Sequence, residues 1–141
     1  MRTLHLTLPA LALIGASACV RFEHPAIRAA SEGVARFHEE LNASRYDDLC
    51  GAMRPGALSG TTGLECRQFL AYVHQHLGDV ADARRTQVRF YPRKEGDLDV
   101  PMNYSTRFAG GEAAEYFEWI VKGTDAKLFS YRIDAARLKA Q

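Results

Sequence analysis

The sequence lacks an excess of either charge: 18 Lys and Arg face 17 Asp and Glu. Without a basic surplus to neutralise phosphates, nucleic-acid binding is set aside. No apolar run reaches the roughly 20 residues a membrane-crossing helix needs. There is no Cys-x-x-Cys, which argues against a redox-active dithiol. His38-Glu39-Glu40 lacks the second histidine of a zinc-protease motif and suits the polar face of a helix. Asp47-Asp48 begins a short helix and has no companion acidic cluster for a calcium loop, and Gly110-Gly111 reads as a turn rather than a phosphate cradle. Repeats and low-complexity tracts are also missing. What remains is ordinary globular composition, 47% apolar and 25% charged, in a length of 141 residues that suits one domain with one core.

The N-terminus departs from that composition. Met1-Arg2 is a short positive start, residues 6–14 ("LTLPALALI") are apolar, and Ala16-Ser17-Ala18 has the small-x-small form of a cleavage site. Pro9 argues against a buried helix here. Residues 1–18 are therefore expected to be a removed signal peptide, and loss of Arg2 would balance the charges. "GASAC" resembles a bacterial lipoprotein signal, in which the cysteine after a short box of small and aliphatic residues is lipidated and becomes the mature N-terminus. Ala16 stands where such boxes most often carry Leu. Plain signal-peptidase cleavage at the same bond is the rival, and it would leave a free N-terminal thiol. The resemblance implies lipidation of Cys19, with residues 19–24 as a tether. Val20, where the Gram-negative sorting signal would have Asp, implies an exported, periplasmic protein anchored to the outer rather than the inner membrane.

Export changes the meaning of the other two cysteines, since thiols outside the cytoplasm tend to be oxidised. Cys50 and Cys66 flank "GAMRPGALSGTTGLE", a stretch rich in Gly, Ser and Thr. A bridge closing such a loop is worth roughly 3 kcal/mol in the chain-entropy model. A structural disulfide is expected, with two buried free thiols as the alternative.

Hydrophobic periodicity places helices first. Ile27, Ala30, Val34, Phe37 and Leu41 form one stripe over residues 26–42, opened by Pro25. A short helix is expected over 46–53. A third carries Cys66, Phe69, Leu70, Val73 and Leu77, with a Thr62/Glu65 capping box and Gly78 as its stop. From residue 85 the period becomes two. Thr86, Val88 and Phe90 alternate with polar neighbours. Met102, Tyr104, Thr106 and Phe108 share a face, as do Glu115, Phe117, Trp119 and Val121, and then Phe129, Tyr131 and Ile133. The expectation is an α+β domain over residues 25–135, with N-terminal helices packed on a curved four-stranded antiparallel sheet, followed by a tail at 136–141.

This order of elements, carried by "AIRAASEGVARFHEELNASRYDDL", "FLAYVHQHLGDV" and "YSTRFAGGEAAEYFEWIVKGTDAKLFSYRI", resembles the cone-shaped nuclear-transport-factor-like (cystatin-like) superfamily. More narrowly, it is similar to small exported bacterial proteins grouped as a domain of unknown function, family four thousand nineteen. The resemblance implies a pocket between the sheet and the long helix, with Tyr72, Tyr104, Tyr116 and Trp119 as lining candidates. Relatives that are enzymes use Asp, His or Tyr inside the cone, and no matching Asp and His constellation stands out here.

Among single residues, Glu115 is the catalytic candidate, because burial inside a cone would raise its pKa. An ion pair with Arg107 across the strand is the competing expectation. His74 and His76, two apart on a helix, point to different sides and are expected to be solvated rather than to share a metal. No cofactor or metal is implied. The leading expectation is a non-catalytic accessory or binding module of the cell envelope, taking an envelope protein or a small apolar ligand. The alternative is an isomerase- or dehydratase-like cone enzyme acting on a small hydrophobic substrate. Homodimerisation through the outer sheet face, served by Tyr116 and Ile120, is a third.

Overall fold

The computed structural model describes residues 22–58 and 65–139. Cys19 and Thr62, and with them the expected lipidation site and half of the expected capping box, lie outside the described residues. The chain runs α1 (Pro25–Asn42), α2 (Tyr46–Ala52), α3 (Cys66–Leu77), β1 (Val80–Val88), β2 (Tyr91–Pro92), β3 (Leu98–Phe108), β4 (Gly111–Lys122), β5 (Asp125–Asp134) and α4 (Ala136–Lys139). This is the expected α+β architecture, with the helices first. The sheet is antiparallel in the order β1-β3-β4-β5, and two-residue β2 pairs with the start of β3 as a fifth strand.

Local signals explain the helices. Pro25 occupies the first turn of α1, and the His24 side chain caps it by accepting from the Ala26 amide at 3.2 Å. Asp47 and Asp48 lie in the first turn of α2, where negative charge complements the helix dipole. Gly78 ends α3 at φ 74°, a conformation that favours glycine. Cys50 and Cys66 are bonded at 2.01 Å and fasten the end of α2 to the start of α3. The bridge is a staple between two helices.

The apolar stripe of α1 lies across the inner face of the sheet. Ala30, Val34, Phe37 and Leu41 meet Met102, Phe117, Val121 and Tyr131 in one core. Trp119 reaches α1 only because residue 33 is glycine: a Cβ there would come within 2.7 Å of the indole. At the far end, the β3–β4 turn is tied to α3 by the Gly110 amide, which donates to the Leu77 carbonyl at 2.7 Å. A Cβ at 110 would press on that same oxygen at 2.9 Å. Asn42 fixes the end of α1 to β1, donating to and accepting from Val80. The segment after α2 covers the edge of β5, with Ala57 accepting from the Tyr131 amide at 2.7 Å.

Two expected faces are corrected by β-bulges. β1 begins at Val80, and its register slips between Arg85 and Gln87. Thr86, Val88 and Phe90 therefore do not share a face: Val88 pairs with Met102, Thr86 is exposed, and Phe90 lies beyond the strand. A second slip, between Glu118 and Trp119, lets Leu128 rather than Phe129 fill the core beside Tyr131. Phe129 instead lies under the Arg54 guanidinium, 3.9 Å from its ring centre. An inserted residue reverses the alternation beyond it.

Candidate functional site

Glu115 faces the core, as its parity with Phe117 and Trp119 requires. It is 1% exposed. The strand register sets it opposite Tyr104, while Arg107 pairs with Glu112, so the expected cross-strand ion pair with Arg107 does not form. Three other groups satisfy the carboxylate. His38 meets its Oε2 atom through Nε2 at 2.8 Å, Thr106 donates to the same oxygen, and the Tyr131 hydroxyl donates to Oε1 at 2.7 Å. One side chain each from α1, β3, β4 and β5 thus converges on a single buried point. Phe37 and Phe117 wall it with rings at 5.9 and 5.8 Å from the His38 imidazole.

His38 corrects the expectation of a polar helix face, since it is buried and bonded to Glu115. It stands one turn from both Val34 and Leu41, at the margin of the apolar stripe, and that spacing is the signal that could have found it. Tyr131 is held strongly in its protonated form. Burial pushes its pKa well above the ordinary value, and the neighbouring Glu115 charge adds to the shift. Burial also raises Tyr104, and partial burial followed by the Glu118 charge raises Tyr116. At neutral pH Tyr131 is therefore a hydrogen-bond donor and not a base.

The four lining candidates are not brought together. Tyr104 and Trp119 lie on the inner face, flanking Phe117 with ring centres at 5.8 and 6.3 Å. Tyr116 is on the opposite face of the sheet. Tyr72 belongs to α3, where it packs on His76 and donates to the Leu138 carbonyl. One hollow between α1 and the sheet, near Gly33, Met53 and Trp119, measures about 80 Å³. That is well below the roughly 300–1,000 Å³ of small-molecule sites. The indole N–H of Trp119 is buried and has no acceptor among the described residues.

The larger hollow is on the outer face of the sheet. It measures about 690 Å³, with Asn103, Ser105, Ala114, Tyr116, Arg132 and Lys139 among its walls. Small side chains at 105 and 114 form the floor, because they pair directly across β3 and β4. Arg132 lies over the Tyr116 ring at 4.3 Å and forms one wall, and the Lys139–Asp134 ion pair at 2.7 Å closes an end. This hollow was not anticipated as a pocket, since only the register reveals that the small residues adjoin.

His74 is held rather than solvated. Its Nδ1 atom is hydrogen-bonded with the Tyr46 hydroxyl at 2.7 Å, and Nε2 donates to Asp79 at 2.6 Å. His76 turns the other way and donates from Nδ1 to the Tyr72 carbonyl at 2.8 Å. Among the described residues no three His, Cys, Asp or Glu side chains form a cluster suited to a metal, and no helix is long and apolar enough to cross a membrane. In comparisons with known proteins, neither a family model nor a curated protein matches this chain.

Proposed function

We propose that this chain is an exported, Cys19-lipidated domain of the nuclear-transport-factor-like superfamily, similar to the exported family named above, that acts as a non-catalytic binding module of the cell envelope. The ligand is a polypeptide partner, whose side chains enter the outer-face groove beside Tyr116 and Arg132. One observation carries this reading: the interior is filled and the Glu115 carboxylate is tied by three donors, whereas the groove is open. A general base needs room for substrate within hydrogen-bond reach, and although Glu115 is among the residues that border the groove, its side chain is fully buried with its carboxylate on the inner face. An aromatic wall beside an exposed guanidinium is the kind of surface at which protein partners bind.

A photoreactive residue at position 114, in the chain expressed in its own envelope, tests this. The expected result is one discrete adduct that disappears in a Tyr116→Ala, Arg132→Ala double variant and persists in Glu115→Gln. An adduct of twice the chain mass identifies the partner as a second copy. Absence of any adduct overturns the reading. So does turnover of small hydrophobic substrates that is lost in Glu115→Gln, which would establish the enzymatic alternative.

A further inference from the structure

Three large apolar side chains are exposed among the described residues: Phe22 at 95%, Tyr91 at 48% and Phe90 at 45%. Phe22 is distant in sequence from Phe90 and Tyr91, yet all three share one end of the molecule. The His24 ring stacks on Phe90 with centres 4.8 Å apart, and Glu23 pairs with Arg85 of β1 at 2.6 Å. Phe22 is only two residues before His24, which places its backbone within about 8 Å of the His24 backbone. Tyr91 follows Phe90 directly, and its hydroxyl accepts from the exposed Arg89 guanidinium at 3.5 Å. Isolated exposed aromatics need no explanation, but three gathered at one tip beside a cation do.

The chain that leads into this tip indicates what covers it. Cys19, the expected mature N-terminus, stands three residues before Phe22. Three extended residues span at most about 11 Å, so an acyl group on Cys19 would hold Phe22 at the bilayer surface. His24 and Arg85 would then bring Phe90 and Tyr91 down with it. Aromatic side chains favour the headgroup region, where a ring is buried and a polar edge stays wet. Arg89 is placed to meet a lipid phosphate.

We infer that Phe22, Phe90 and Tyr91 form a membrane-docking tip that inserts into the bilayer interface and sets the orientation of the domain. This rests on the lipid-anchor reading of Cys19, and the test separates the two. The full chain purified from membranes, carrying Phe90→Trp, is reconstituted into phosphatidylcholine vesicles with or without bromine on the acyl chains. Wild type supplies the baseline, because its one tryptophan, Trp119, is buried in the core. Tyr116→Trp reports from the outer sheet face.

The expected result is flotation of every variant with the vesicles. Bromine should quench the tryptophan at 90 by about half or more and leave that at 116 near baseline, as for a ring buried about 5–10 Å into the interface. Flotation without quenching at 90 overturns the docking tip and leaves the lipid anchor intact. If a doubled mass accompanies that result, the tip is covered by a second copy. Equal quenching at 90 and 116 overturns the orientation, and failure to float overturns both readings.

Discussion

At the scale of single residues, the molecule depends on how Glu115 is satisfied. A carboxylate enclosed by Phe37 and Phe117 is tolerable only because His38, Thr106 and Tyr131 supply donors to both oxygens. Removing the acceptor orphans three buried polar groups at once. Glu115→Leu is therefore expected to lower stability by about 3–5 kcal/mol, measured as a shift of the urea midpoint. Tyr131→Phe takes away one donor and should cost about 1–3 kcal/mol. The phenol also makes stability depend on alkaline pH. Its folded pKa lies well above the unfolded value of about 10, through burial first and then the Glu115 charge. Below pH about 10 its contribution is present in full. Above that, the unfolded chain has released a proton that the native state retains, so Tyr131 removes about 1.4 kcal/mol per pH unit. Urea titrations between pH 8 and 11 should show wild type losing stability more steeply than Tyr131→Phe, and equal slopes would refute the assignment.

Elements are held together by fewer devices than residues, and the disulfide is the clearest. Cys50 and Cys66 are separated by 16 positions and join α2 to α3. A Cys50→Ala, Cys66→Ala variant is expected to lose roughly 3 kcal/mol, seen as a lowered thermal midpoint that matches reduced wild type. A difference between the two would mean that free thiols, and not loop opening, dominate the effect. Legibility also divides by element. β3 and β4 pair without a slip, so simple alternation reads every inward residue from Met102 to Val121. β1 and β5 contain bulges, and no residue type at Thr86 or Phe129 announces them. A bulge depends on how two strands meet, and a single strand does not encode that. The parity of Glu115 was readable for the same reason as β3 and β4. Its partners were not, because His38, Thr106 and Tyr131 come from three other elements and meet it only in the folded chain.

The whole molecule separates two surfaces. β2 places Tyr91 opposite Asp99, while the groove floor at Ser105 lies six residues further along β3, roughly 20 Å away at about 3.3 Å per residue. With the aromatic tip on the bilayer, the long strands lead away from the membrane and carry the groove toward partners in the aqueous space. Behind the groove floor, on the opposite face of the sheet, the Glu115 cluster joins α1 to three strands. Sites this far apart should act independently, although Asn103 borders both the groove and the hollow beside Arg89 and Tyr91. Phe22→Ser with Phe90→Ser should therefore abolish interfacial insertion and leave adduct formation at position 114 within twofold of wild type in detergent. Tyr116→Ala with Arg132→Ala should do the reverse. In the membrane the first pair has a further consequence. Once the tip is released, the domain swings on a tether of a few residues, and adducts from position 114 should spread to several envelope species. A single unchanged adduct in that variant would show that the groove selects its partner without help from orientation, and that the tip serves attachment alone.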